Sequence, residues 1–256
     1  MRFVGLDLAW SSRNPSGAVA LAQAEGASWT PAGWSAELQS DEEIVAFITE
    51  AVGEGPGLVA IDAPLVVPNE AGTRPCDLAL SRAYRKAEAG ALPANRRRLG
   101  PVVRGEEIVR KLGRHGFAHS PHVERRRPVR QVVEVYPHPA MVELFGLTKT
   151  LKYKARKGRS LEERRQELAR YIELLRSLAK RDPPLQAKEL LSGISVSGLR
   201  GGTLKRVEDL LDACFCAYIA LYIWWHGERG YRCFGDLKRG YILVPVKSPS
   251  TPAVPG

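Results

Sequence analysis

The sequence predicts an α/β fold in which a mixed five-stranded sheet is flanked by helices. Three observations support this prediction. The stretch LVAIDAPLVV (58–67) is apolar almost throughout, as is typical of a central strand covered on both faces. Longer segments with apolar residues at helical spacing alternate with such stretches. The first three predicted strands are joined by short, turn-rich connections, which favours an antiparallel meander at the start of the chain.

The first 67 residues are predicted to form three strands, a helix and a fourth strand. Ser40 and Glu43 indicate the helix, because they make a capping box ahead of an apolar face. The strands are short apolar stretches bounded by Ser, Asn, Pro and Gly residues. In chain order these elements are RFVGLDLA (2–9), AVALAQAEG (18–26), SWTPAGWSAEL (28–38), SDEEIVAFITEAVG (40–53) and LVAIDAPLVV (58–67).

Residues from about 68 to 128 are predicted to be a basic, helical insertion after strand four. Helical pieces are expected around 76–90 and 105–117, and arginine runs stand in NRRRLG and ERRRPVR. Lysine and arginine make the phosphate contacts of nucleic-acid-binding proteins. These runs, with the basic stretch after strand five, therefore predict a polyanionic partner. The residues assigned to nucleic-acid binding are Arg96, Arg97, Arg98, Arg125, Arg126, Arg127, Lys152 and Lys154.

The remaining chain is predicted to complete the sheet and supply the longest helices. A second capping box, Ser160 with Glu163, begins a long helix. The last helix becomes more apolar toward its C-terminal half and ends at Gly227. These elements are 131–140 (strand five), 139–146 (short helix), 160–180 (long helix), 203–227 (longest helix) and RGYILVP, 239–245 (a last edge strand). We expect one domain over 1–245 and a disordered, Pro- and Ser-rich tail at 246–256.

The composition of the sequence bears on its location, its cysteine chemistry and its partners. None of the 256 residues belongs to an apolar run long enough to cross a bilayer, and the N-terminus lacks signal-peptide features. A cytoplasmic protein without a membrane partner is expected. The four cysteines form no Cys-x-x-Cys pair, so free thiols are expected. The formal net charge of +10 favours a polyanionic partner, with a general arginine bias as the alternative.

Carboxylates in apolar elements are the main functional signal. Asp7 lies in the first strand and Asp62 in the fourth, where an ionised acid is costly unless it is paired or binds a metal. Asp209 and Asp212 share a face of the last helix. Such close like charges repel, so a positive group should lie nearby. Oxygen ligands suit Mg²⁺ or Mn²⁺, which activate water for phosphodiester hydrolysis. The predicted metal ligands are Asp7, Asp62, Asp209 and Asp212.

Strand five adds one acid and one histidine. Glu134 joins Asp7, Asp62 and Asp212 as a predicted catalytic residue. The alternative is that Glu134 pairs with an arginine, as acids at strand ends often do. His138 lies between two prolines, which favours a packing or hydrogen-bonding role over general acid–base catalysis.

Four motifs in this order resemble known families. GLDLAW, AIDAPL and EDLLDACFCAYIA stand where the ribonuclease H-like superfamily keeps its acids, and DLLDA on an apolar helix resembles the Holliday-junction resolvases. Together with EVYPHPA, these motifs resemble the DUF429 family, described as predicted nucleases of the ribonuclease H-like fold, over roughly 1–245. The resemblance implies metal-binding positions at Asp7, Asp62 and Asp212. It matches Asp209 to the accompanying helix acid, and Glu134 only to the narrower family's E-x-Y-P motif.

The sequence thus predicts a divalent-metal-dependent nuclease that hydrolyses phosphodiester bonds in DNA or RNA, with a homodimer as an assembly to be tested. Two alternatives stay open. An ATP-binding phosphotransferase of the actin and sugar-kinase type shares the strand-one acid, but it normally has a duplicated domain and glycine-rich phosphate loops, and SSRNPSG (11–17) is a poor phosphate loop. A catalytically silent nucleic-acid-binding scaffold would bind equally well after the loss of one acid.

Overall fold

The computed structural model describes residues 1–24 and 26–247, in which strands and helices form a mixed α/β arrangement. The strands are β1 (Arg2–Asp7), β2 (Ser16–Gln23), β3 (Trp29–Leu38), β4 (Gly57–Asp62), β5 (Ala118–His119), β6 (Arg130–Glu134), β7 (Tyr231–Asp236) and β8 (Gly240–Pro245). The helices are α1 (Asp41–Val52), α2 (Pro75–Ala83), α3 (Arg96–Leu99), α4 (Arg104–Gly113), α5 (Pro137–Phe145), α6 (Leu161–Ser177), α7 (Lys188–Ser192) and α8 (Gly201–His226).

A six-stranded sheet with the order β3-β2-β1-β4-β6-β5 forms the centre of the molecule. The first three strands are antiparallel neighbours, whereas β4, β6 and β5 continue the sheet in parallel with β1. The two central strands, β1 and β4, therefore end at the same edge of the sheet. Their last residues, Asp7 and Asp62, are partners in the register.

Helices cover both faces of this sheet. α8 packs across one face against β1, β2 and β4. Its residues 213–223 are all buried, which explains why this part of the helix is apolar all round. On the other face, Ile44 and Ile48 of α1 and Ile108 of α4 pack against the inward side chains of β1 and β4. No helix in the described part of the chain is long and apolar enough to span a membrane.

Two glycines let α8 lie close to the sheet. A Cβ atom on Gly5 of β1 would lie 2.0 Å from the carbonyl oxygen of Ala213. A Cβ atom on Gly17 of β2 would lie 2.5 Å from the carbonyl oxygen of Asp209. Any larger residue would push the helix away, so these glycines bring the acids of α8 to the ends of the central strands.

The structure differs from the predicted fold in the ends of three strands and in the number of strands. The strands predicted over 2–9, 58–67 and 131–140 end at Asp7, Asp62 and Glu134. The sheet has six strands rather than five, because Ala118–His119 adds a strand beside β6. Two residues are too few to show a strand periodicity in the sequence. RGYILVP, predicted as a last edge strand, does form a strand: β8 pairs with β7 in a two-stranded sheet and makes one parallel bridge, from Leu243 to Val135. The predicted disordered tail lies outside the described residues from position 248 onward.

Candidate active site

Two carboxylates stand side by side where the central strands end. Asp7 and Asp62 are in register on parallel strands, directly after the fully buried Leu6 and Ile61. Burial raises the pKa of Asp62 well above its ordinary value, and the negative charges of Asp7 and Asp212 raise it further. The carboxyl edge of the sheet therefore holds an acid whose charge lacks full compensation.

The first half of α8 brings three more acids to this edge, and all three are buried. Asp212 accepts a hydrogen bond of 2.6 Å from the Tyr153 hydroxyl, and Asp209 is contacted by Lys205. Glu208 accepts a hydrogen bond of 2.8 Å from Arg164, so its charge is paired beside the cluster.

The ammonium group of Lys154 joins the acids of the sheet to those of α8. Its Nζ lies 3.4 Å from Asp7 Oδ2 and 3.8 Å from Asp209 Oδ1, and it contacts Asp212 Oδ2. Burial alone would lower the pKa of Lys154, but the charges of these carboxylates raise it well above its ordinary value. The positive group expected beside the paired acids is thus Lys154, which the sequence had assigned to nucleic-acid binding.

Negative charge exceeds positive charge in this cluster. Among the described residues, Asp7, Asp209 and Asp212 form ion pairs only with Lys154 and Lys205, and Asp62 is influenced by the Lys154 charge without an ion pair of its own. Burial raises the pKa of Asp209 to about 7, and the nearby Asp7 charge adds to the effect. Burial also raises the pKa of Asp212, against the opposing charge of Lys154. Additional positive charge at this position would stabilise the ionised carboxylates.

The donor chemistry of the cluster fits a hard divalent cation. All four predicted ligands are aspartates, and oxygen donors are those that Mg²⁺ and Mn²⁺ prefer. Three of them surround one position that already holds a positive charge. In the structure these carboxylates are spaced around the Lys154 ammonium. In residues 1–24 and 26–247, no group of three or more His, Cys, Asp or Glu side chains is arranged to hold a metal ion. The metal site therefore stays a prediction.

Glu134 is the register partner of Ile61, and its charge contributes to the raised pKa of Asp62, but its carboxylate is engaged by a buried ion network. Its two carboxylate oxygens accept hydrogen bonds from Arg74 at 2.7 and 3.1 Å, and the backbone N–H of Leu65 donates another at 2.7 Å. Arg74 also binds Asp77 at 2.8 Å, and all three charged side chains are buried. The network ties the segment before α2 to β6. Glu134 thus takes the arginine-paired position that was the alternative to its predicted catalytic role.

The two arginine runs lie at different ends of the molecule. Arg98 of α3 stacks over Trp10 at 5.3 Å, three residues beyond Asp7, and Arg96 pairs with Glu106 at 2.9 Å, while Arg97 is exposed. This run therefore lies at the carboxyl edge of the sheet, near the acids.

Arg125, Arg126 and Arg127 instead pack around the C-terminus of α8. The guanidinium of Arg126 lies 3.8 Å from the centre of the Trp225 ring, and Arg127 pairs with Glu124. Trp225 is 13 residues beyond Asp212 on the same helix, which corresponds to about 20 Å. The structure does not bring this run to the acidic cluster.

The basic stretch after β6 adds residues that sequence reasoning did not assign to the acids. Tyr153 reaches Asp212, and Arg164 of α6 holds both Glu208 and the carbonyl oxygen of Tyr153. Lys152 pairs outside the cluster with Glu88 at 2.7 Å. The sequence predicted that a positive group lies near Asp209 and Asp212. It did not predict which residue supplies that group.

His138 lies behind the cluster in a packing position. Its Nδ1 is 2.8 Å from the Thr150 hydroxyl, and its ring stacks on Tyr153. Burial lowers the pKa of His138 to about 3, and the charges of Lys154 and Lys152 act in the same direction. A neutral imidazole that supports Tyr153 agrees with the hydrogen-bonding interpretation of this residue.

Comparison with known proteins gives one match. A family model described as "Protein of unknown function (DUF429)" matches residues 5–239. This range includes every aspartate of the cluster together with Lys154. Searches of curated proteins and of solved structures give no match.

Proposed function

This chain belongs to the DUF429 family, and we propose that it is a divalent-metal-dependent nuclease of the ribonuclease H-like type, hydrolysing phosphodiester bonds in DNA or RNA. One observation carries the proposal: Asp7 of β1 meets Asp209 and Asp212 of α8 around a single cationic position, and Asp62 of β4 is the register partner of Asp7. The element order β-β-β-α-β at the start of the chain supports the assignment of fold type.

Each residue of the cluster has its own role in this proposal. Asp7, Asp62, Asp209 and Asp212 would hold Mg²⁺ or Mn²⁺. When bound, such an ion supplies an activated water and stabilises the leaving oxygen. Tyr153 donates to Asp212 and fixes the orientation of its carboxylate. Lys154 carries three donor hydrogens on a flexible stem, so its ammonium can turn from the aspartates to a substrate phosphate.

The surroundings favour a polyanionic substrate. The exposed Trp10 follows Asp7 by three residues and is stacked by Arg98, and a guanidinium with an aromatic ring is the combination that binds phosphate and stacks on a base. Lys154, from the basic stretch 149–159, contacts the cluster itself.

The second candidate function is a catalytically silent nucleic-acid-binding scaffold. The contacts of Lys154 favour it, because an ammonium that pairs with three aspartates partly removes the need for a metal. In this function the acids and Lys154 would form a structural ion cluster.

A cleavage screen separates the two functions. Single-stranded and duplex DNA, RNA, a DNA–RNA hybrid and a branched junction are incubated with the protein and Mg²⁺ or Mn²⁺. The nuclease requires metal-dependent cleavage of at least one substrate, lost with EDTA and in the Asp7→Asn variant. Binding without cleavage of any substrate would identify the scaffold.

A further inference from the structure

An open cavity of about 580 Å³ lies next to the candidate site, between the segment 148–159 and the first half of α6. Its volume is within the range of about 300–1,000 Å³ that is usual for ligand pockets. Its wall is polar, with Thr148, Thr150 and Gln166 among its residues. The cations that line it are Lys149, Lys152, Lys157, Arg159 and Arg170.

The two carboxylates of the cavity wall are engaged by backbone donors. Glu163 accepts the N–H of Ser160 at 2.7 Å as part of the capping box, which lowers the pKa of this carboxyl. Glu167 accepts the N–H of Lys152 at 2.7 Å and lies 3.6 Å from Arg170. Both acids keep their negative charge, but the five cations of the wall outnumber them.

Lys157 and Arg159 are the cations of the cavity wall that have no carboxylate partner among the described residues. Lys149 and Lys152 both pair with Glu88. Among the described residues, no carboxylate lies within 4 Å of the ammonium of Lys157 or the guanidinium of Arg159. Arg159 donates one hydrogen bond, to the carbonyl oxygen of Lys154, and a guanidinium has five donor hydrogens. The cavity thus holds two charged groups with donors left for an anion.

The cavity and the acidic cluster share one stretch of chain. Lys154 reaches the aspartates, and Lys157 is three residues further on, so their Cα atoms lie at most about 11 Å apart. One strand of a duplex carries a phosphate about every 3.4 Å of helix axis. A strand whose scissile phosphate lies at the aspartates would therefore place a neighbouring phosphate within reach of the cavity.

We propose that this cavity binds the sugar-phosphate backbone of the nucleic acid, a few nucleotides from the scissile bond, through Lys157 and Arg159. The inference rests on the proposed nuclease function and adds a second contact region to it. A phosphate has the oxygen acceptors that an ammonium and a guanidinium both bind. It would also offset the excess of positive charge in the cavity wall.

The test is binding of fluorescein-labelled single-stranded DNA and RNA in EDTA, measured by fluorescence anisotropy over a salt series. The variant K157A/R159A should weaken binding by about tenfold and reduce the salt slope by up to about 1.4, which is 0.7 for each lost contact. The control K180A/R181A removes the same charge just beyond the other end of α6, from two exposed residues, and should bind as the wild type does. A second variant, K157Q/R159Q, should reproduce the loss at unchanged melting temperature.

Competition identifies the source of the phosphate. Inorganic phosphate and a nucleoside monophosphate should displace the labelled strand only at much higher concentration than an unlabelled oligonucleotide does. A nucleoside monophosphate that binds as tightly as the strand, and loses affinity in K157A/R159A, would make a free nucleotide the ligand and overturn the backbone assignment. So would a K157A/R159A variant that binds as the wild type at every salt concentration, or a wild type that binds no oligonucleotide.

The two proposals fail in different experiments. If the wild type cleaves but K157A/R159A keeps wild-type affinity, the cavity assignment fails and the nuclease stands. If K157A/R159A loses affinity as expected but no substrate is cleaved by the wild type, the cavity assignment stands and the nuclease fails.

Discussion

Lys154 contacts the carboxylate of Asp212 and places a positive charge where the acids of the sheet meet those of the last helix. The same ammonium lies 3.4 Å from Asp7, so one side chain from a loop joins a strand to a helix. A position that attracts an ammonium from within the chain is also one that would attract an external cation.

Replacing Asp7 with Asn tests the catalytic role of the strand-one acid. The change keeps the shape of the side chain but removes one negative charge from the predicted metal ligands. We expect single-turnover cleavage to fall by several orders of magnitude, because metal activation of water is the main source of rate in this chemistry. Affinity for nucleic acid should hold or rise, since repulsion of phosphate is relieved. Cleavage at the wild-type rate would make Asp7 a structural residue and remove the basis for the nuclease.

Replacing Lys154 with Met tests whether the ammonium holds the position of a cation. Without metal, the variant should lose about 2 kcal/mol of stability, less than the about 3–5 kcal/mol of a fully buried pair, because 31% of the Lys154 side chain is exposed. Added Mn²⁺ should raise the melting temperature more in the variant than in the wild type, because the ion no longer competes with an ammonium.

The control for that experiment is Lys205→Met, which removes a more exposed ammonium from Asp209 alone. We expect Lys205→Met to melt close to the wild-type temperature, both without metal and with added Mn²⁺. Equal Mn²⁺ shifts in the wild type and in Lys154→Met would show that the ion does not bind at the position of Lys154.

Replacing Glu134 with Gln tests its role in the buried network. The change leaves Arg74, which is 2% exposed, with Asp77 as its remaining carboxylate partner among the described residues. We expect a loss of about 3 kcal/mol in the free energy of unfolding, measured in urea. This is the lower end of the usual cost of breaking a buried pair, because Asp77 still offsets part of the Arg74 charge. The folded fraction should cleave at close to the wild-type rate. Unchanged stability with lost cleavage would restore the catalytic prediction for Glu134.

Replacing Gly5 with Ala tests the close approach of α8. The new Cβ would lie 2.0 Å from the Ala213 carbonyl oxygen, so the helix must shift. We expect a loss of at least about 1–3 kcal/mol, the usual cost of overpacking. Gly33→Ala in β3 is the matched control, since no atom lies within 4 Å of its Cβ position. Equal stability of the two variants in urea would contradict the packing argument.

The pH dependence of stability tests the burial of His138. Its pKa is lowered to about 3 in the folded chain, whereas an unfolded His titrates near 6.5. The unfolded state therefore binds the extra proton first, and stability is lost progressively as the pH falls below about 6.5. Between pH 7.5 and pH 5, His138 should lower the free energy of unfolding by about 2 kcal/mol. Urea titrations at pH 7.5 and 5 should show a smaller loss in His138→Gln than in the wild type. Equal losses would mean that His138 is not buried in its neutral form.

Local features were predicted well from the sequence. Both capping boxes are present, with Ser40 and Ser160 each accepting the N–H of the glutamate three residues later. Such contacts join residues within one turn, so the spacing of the letters is enough to predict them. The placement of Asp7 and Asp62 in apolar strands likewise depended only on a few neighbouring residues, and both strands end at these acids.

The partners of the charged residues were decided by the tertiary structure. The sequence by itself determined that the aspartates stand in apolar elements and need a positive partner, because the cost of burying a charge follows from its immediate neighbours. Only the folded chain decided that Lys154 meets that need, that Arg74 pairs with Glu134, and that Arg125–Arg127 pack at the far end of α8. Lysine and arginine side chains are long and their charges are alike. Their place in the sequence therefore carries little information about which acid they reach, and packing between distant segments decides it.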